Sequence, residues 1–87
     1  MNELMMKNVS NALLKRKGYT DPVTEESFLR FLQITYEDTK VDAILAFYSD
    51  TPIKEIVSTC HMAESRVRNY AANAIDRYYL LLKERLG

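Results

Sequence analysis

An all-α fold of about five helices in a single domain is what this sequence predicts, on three observations. Two glycines and two prolines in 87 residues are too few to punctuate a series of hairpins. Apolar residues recur at three- and four-residue spacing through most of the chain. A 47% apolar content beside 28% charged residues suits one globular core, near the lower size limit at which such a core is enough by itself.

The elements follow in order. The spacing of Leu4, Met5, Val9, Ala12, Leu13 and Leu14 predicts a first helix from about Asn2 to Lys17. Lys15, Arg16 and Lys17 suit the negative end of its dipole, and Gly18 stops it. A second helix opens in "YTDPVTEESFLRFLQIT", where Asp21 before Pro22 makes one N-terminal signal and Thr24 before Glu25 and Glu26 a competing one. Phe28, Leu29, Phe31 and Leu32 supply its apolar face. The third helix starts near Glu37 to Thr39 and carries Val41, Ile44, Leu45 and Tyr48. "SDTP" then interrupts. Thr51 is expected to cap the fourth helix, with Pro52 at its first position and Ile53, Ile56 and Val57 on one face. The last helix begins after His61 and Met62 and runs unbroken from about Glu64 to Arg85.

Charge excludes little, because 12 basic and 12 acidic side chains cancel. Their distribution is uneven: residues 1–17 carry a net +3, residues 18–60 a net −5 and residues 61–87 a net +2. Basic ends around an acidic middle are compatible with nucleic acid at one face. A lone cysteine, Cys60, cannot staple the fold, and no apolar run nears the roughly 18 residues that cross a bilayer. Neither a leader peptide nor a membrane anchor is read at the start, so a cytoplasmic, bacterial-type protein is expected. No second His or Cys stands by to complete a metal site with His61, and no base or Gly-rich phosphate loop suggests catalysis. The expectation is a non-enzyme without cofactor, metal or small-molecule ligand.

Residues 51–75 are the informative stretch. A helix-turn-helix needs a short helix, a tight turn and a second helix propped at a steep angle. Ile53, Ile56 and Val57 fill the first set of apolar positions, Met62 plugs the turn, and Val67, Ala71 and Ile75 form a stripe spaced by four. Between them lie Glu64, Ser65, Arg66, Arg68, Asn69, Ala72 and Asn73, which are polar or small, as a groove-facing side requires. Asn69 and Asn73 are poor mid-helix formers placed four apart where no cap is needed, so they ask for a reason. Two positions depart from the pattern. His61 stands where glycine often eases a positive-φ turn, and Val57 is larger than the alanine usual where the two helices touch.

"IKEIVSTCHMAESRVRNYAANAI" resembles the C-terminal helix-turn-helix of LuxR-type regulators, through Lys54, Glu55, Ile56, Val67, Arg68, Asn69 and Ile75. The longer stretch "EESFLRFLQITYEDTKVDAILAFYSDTPIKEIV" is similar to the small PapB-type regulators of adhesin operons in its apolar pattern and its Lys-Glu pair. The resemblance spans roughly residues 26–82 and leaves the first 20 or so unmatched. The chain as a whole is read as one domain of residues 1–87, with residues 1–20 an N-terminal helix and residues 37–82 a helix-turn-helix DNA-binding core. The resemblance implies base contacts from Ser65, Arg66 and Asn69 and a phosphate contact from Arg68. The unusual mid-helix Asn73 is expected to join the base contacts, and Thr51 and Lys54, near a helix N-terminus, the phosphate contacts. The chemistry agrees, because arginine grips guanine O6 and N7 and asparagine grips adenine N6 and N7 in paired hydrogen bonds.

The final helix carries more apolar residues than one stripe needs. Ile75, Tyr78, Tyr79, Leu82 and Leu86 are therefore expected to join two copies, making a homodimer that reads double-stranded DNA as an inverted repeat. The rival reading is a non-enzymatic protein-interaction module, a helical adaptor or inhibitor that docks its aromatic and leucine surface on a partner helix.

Overall fold

The computed structural model describes residues 3–18 and 23–86, and all regular structure among them is helical. Five helices follow one another: α1 (Glu3–Lys17), α2 (Glu25–Thr35), α3 (Asp38–Tyr48), α4 (Ile53–Cys60) and α5 (Glu64–Leu86). α3 and α5 lie at the centre, and each packs against all the other helices.

Helix ends follow local chemistry. Gly18 closes α1 at φ 67° and donates its N–H to the Leu14 carbonyl at 3.0 Å, the left-handed cap that glycine adopts without a Cβ clash. α2 starts at Glu25 because the Thr24 hydroxyl accepts the Ser27 N–H at 3.1 Å, while Glu25 and Glu26 face the positive end of the dipole. The Asp21–Pro22 start lies outside the described residues. α3 ends in a doubly bonded turn: Thr51 N–H reaches the Ala46 carbonyl at 3.0 Å and Asp50 N–H the Phe47 carbonyl at 3.3 Å, with Asp50 left-handed at φ 62°. Thr51 stands one residue before the capping position of α4, so it does not cap that helix as expected. Pro52 takes the capping place, its carbonyl accepting from Glu55 at 2.9 Å, and no side chain bonds the end.

The main core is an aromatic and aliphatic cluster. Met5, Val9 and Leu13 line α1 at four-residue spacing and meet Phe28, Phe31 and Leu32 of α2 and Val41, Ile44 and Tyr48 of α3. Ala71, Ala74, Ile75, Tyr78 and Leu82 of α5 complete it. Tyr78 is wholly buried, with its ring centroid 5.1 Å from Phe28 and 5.2 Å from Phe31 and its hydroxyl 3.2 Å from Ser27 Oγ. A side chain of that size contributes on the order of 2–3 kcal/mol of hydrophobic stabilisation. A smaller cluster of Ala43, Ile56 and Val67 locks α3, α4 and α5 together, with Met62 and Cys60 packed at its edge.

Three residues expected at a dimer contact belong to this interior. Ile75 and Tyr78 are 0% exposed and Leu82 is 8% exposed, so no partner can reach them. Tyr79 is half-buried against the same core, and the Leu86 side chain lies outside the described residues. The surplus of apolar positions on α5 has a simpler cause: helices of the same chain surround it on several sides. Among the described residues no helix is long and apolar enough to cross a membrane.

Candidate nucleic-acid interface

The turn between α4 and α5 spans His61, Met62 and Ala63. His61 adopts the left-handed conformation at φ 51° and ψ 49°, and its N–H bonds the Val57 carbonyl, which also accepts from Met62 N–H at 3.3 Å. Histidine therefore occupies the positive-φ place that its position predicted. Ile56, 1% exposed, makes the buried contact with Val67, whereas Val57 is only half-buried and lies outside that cluster. Ala43 of α3 joins Ile56 and Val67 in that cluster.

Val67, Ala71 and Ala74 are buried along the first half of α5, so Ser65, Arg66, Asn69 and Asn73 face outward. Two anchors hold the helix from behind. The Tyr48 hydroxyl donates to the Ala71 carbonyl at 2.6 Å, and Arg16 Nη1 donates to the Ala72 carbonyl at 3.3 Å. Both carbonyls sit within one turn of Asn69 and Asn73, so α1 and α3 fix how α5 is rotated about its own axis.

The outward face is partly organised already. Arg66 Nη2 donates to the Tyr70 hydroxyl at 3.2 Å, and its guanidinium lies 5.8 Å from the ring centroid. Lys40, at the start of α3, places its Nζ 5.2 Å from the same ring. The Arg66 hydrogen bond first, then Lys40, holds the Tyr70 hydroxyl below the usual phenol range. Tyr36, the residue that closes α2, donates its hydroxyl to Asn73 Oδ1 at 2.6 Å and stacks edge-on to Tyr70 at 6.3 Å. Burial pushes the Tyr36 hydroxyl up, against the lowering field of Arg77. Arg66, Tyr70 and Asn73 of α5 with Tyr36 and Lys40 thus form one polar aromatic strip.

The expected site residues divide accordingly. Ser65, Arg66, Asn69 and Asn73 share the outward side of α5, and all four are exposed. Asn73 has one lone pair committed to Tyr36, which fixes the amide and directs its Nδ2 donors. Arg68 is exposed but bridges to Glu64 at 3.2 Å, one turn earlier, so a phosphate must compete for it. Lys54 is exposed on α4. Thr51 lines a recess with Asn8, Tyr48 and Asp50, away from α5. Lys40, Tyr36 and Tyr70 were not foreseen. Tyr70 lies four residues from Arg66 and was open to a helical-pair argument, whereas the α2–α3 corner has no local signal that aims it at α5.

Comparison with family models, curated proteins and solved structures returns no match. The residues themselves therefore carry the functional argument. Cation, aromatic and amide groups converge on a rigid helix that follows a three-residue turn, an arrangement suited to phosphate contact beside base-edge reading.

Proposed function

We propose that this chain is a sequence-specific DNA-binding transcription regulator that places the first half of α5 in the major groove. It works as a homodimer in the bacterial cytoplasm, without enzymatic activity. The observation that carries the reading is the outward row of Ser65, Arg66, Asn69 and Asn73, held opposite the buried Val67, Ala71 and Ala74. Arg66 and Asn69 read base edges, and Asn73 donates from a fixed position. Lys40, Lys54 and Arg68 meet phosphate, each giving up counterions on binding.

Selection of bound duplexes from a random pool tests the reading. A defined sequence should emerge, and Arg66→Ala with Asn69→Ala should lose preference for it while the circular dichroism of the fold stays unchanged. Equal binding of that sequence by the double variant would overturn the assignment of the reading helix. Arg68→Ala should lower affinity for all duplexes and reduce the salt slope by about one unit.

A second reading, docking on another protein, gains support from the acidic Glu37 and Asp38, both exposed at the corner next to Tyr36. Phosphate would be repelled there. Absence of any duplex binding at low salt would favour that reading.

A further inference from the structure

Away from the α4–α5 turn, α2 and the last turns of α5 enclose an open groove of about 550 Å³. Phe31, Ile34, Leu80 and Leu81 give it an apolar floor. Two of these are the most exposed large apolar side chains among the described residues, Ile34 at 79% and Leu80 at 57%, ahead of Leu14 and Leu4 on α1. Glu26 and Arg30 on the α2 wall, and Arg77 and Glu84 on the α5 wall, edge the groove with equal numbers of each sign. A nucleic acid would be repelled by the carboxylates and gain from only half of the rim.

We propose that this groove is the contact between two copies of the chain, with the α5 helices running antiparallel across a two-fold axis that passes between Leu80 and Leu81. Sequence spacing favours a second copy over any other occupant. Arg77, Leu80, Leu81 and Glu84 stand at i, i+3, i+4 and i+7, which is one stripe of a helix. Turning the stripe about that axis sets Leu80 over the partner's Leu81 and Arg77 against the partner's Glu84, and symmetry makes each contact twice. A charge pattern that complements its own rotated image is what an isologous interface needs. The surface differs from the tyrosine and leucine positions that the fold buries, so dimerisation costs the monomer none of its core.

The spacing has a second consequence, which rests on the DNA-binding reading. Asn69, the middle of the outward row, lies about 17 Å along the helix from that axis, so near-antiparallel copies separate the two rows by about 34 Å. One turn of B-DNA is about 34 Å, the separation at which two half-sites present the same face.

Sedimentation equilibrium of the whole chain tests the contact without DNA. A dimer should predominate at about 100 µM, well above the about 10 µM dissociation constant of even a modest interface, and a monomer at that concentration overturns the proposal. Leu80→Glu should give a monomer with unchanged circular dichroism, since the side chain is exposed; a persistent dimer overturns it. Arg77→Glu and Glu84→Arg should each weaken self-association by about tenfold or more through like charges set opposite one another. Mixed together they should recover it, because the two altered rims attract. Two weakened variants that fail to associate in the mixture show that the occupant is not a second copy. A dimer that binds no duplex removes the DNA reading alone, and a monomer that binds duplex keeps the DNA reading but removes this contact together with the homodimeric state proposed above.

Discussion

The hydroxyl of Tyr36 donates to Oδ1 of Asn73 at 2.6 Å across 37 residues of sequence. This bond joins the end of α2 to the outward face of α5 and turns an awkward mid-helix asparagine into a positioned donor. Removing it should affect specificity before stability. Tyr36→Phe is expected to cost no more than about 1 kcal/mol, because both groups are near solvent. A double-mutant cycle with Asn73→Ala should show a coupling of about 0.5–1 kcal/mol, and additive single effects would mean the pair does not meet in solution.

Tyr48 makes the equivalent tie inside the core. Its hydroxyl bonds the Ala71 carbonyl, and Tyr48→Phe should cost about 1 kcal/mol at neutral pH. Burial, opposed by Arg16, pushes this hydroxyl well above its usual value. The folded state therefore holds the proton more tightly than the unfolded one. Its contribution is complete below about pH 10, where an unfolded tyrosine is still protonated, and declines as pH rises toward the folded value. Urea midpoints measured from neutral to alkaline pH should fall less steeply for Tyr48→Phe than for the wild type. Parallel curves would remove Tyr48 as the cause.

Tyr70 behaves in the opposite sense. Arg66 and Lys40 favour its phenolate, so an ultraviolet titration should show Tyr70 ionising before Tyr36 and Tyr48. Tyr70→Phe should delete the first step of that titration, and Arg66→Ala should move the step upward. A titration that Arg66→Ala leaves in place would show that the cation and phenol are not bonded in solution.

His61 keeps a left-handed backbone that a side chain resists. His61→Gly should stabilise the chain by about 0.5–1 kcal/mol, and His61→Val should destabilise it by about 1–2 kcal/mol. Thermal unfolding of the two variants reads both signs. If the glycine variant is the less stable one, the imidazole makes a contribution that outweighs backbone relief.

Much of the fold was legible because helical periodicity is a local property. α3 and α5 begin close to the places their caps and apolar spacing indicated, and the left-handed turn was expected at His61. What periodicity does not carry is the number of neighbours around a helix. Ile75, Tyr78 and Leu82 read as a surplus for a partner, yet surrounding helices of the same chain cover them. Long-range polar pairs escaped for a related reason: nothing near Tyr36 or Lys40 in sequence points to α5. Thr51 likewise closes the end of α3 through its backbone N–H, while the capping place of α4 falls one residue later, on Pro52. In the candidate site, Arg66 and Asn69 were visible as residue types at helical spacing, while the groups that orient their neighbours were supplied by tertiary packing.

From Glu64 to Leu86, α5 is a single helix without glycine or proline, 23 residues and therefore about 34 Å long. One end carries the outward row, with Ala71 and Ala72 clamped within its span, and the other borders the groove. Such an element acts as a caliper with no hinge. If both proposed contacts form on it, the gauge between half-sites is set in the protein, and a binding sequence with a base pair added at its centre has to be accommodated by bending or twisting of the DNA.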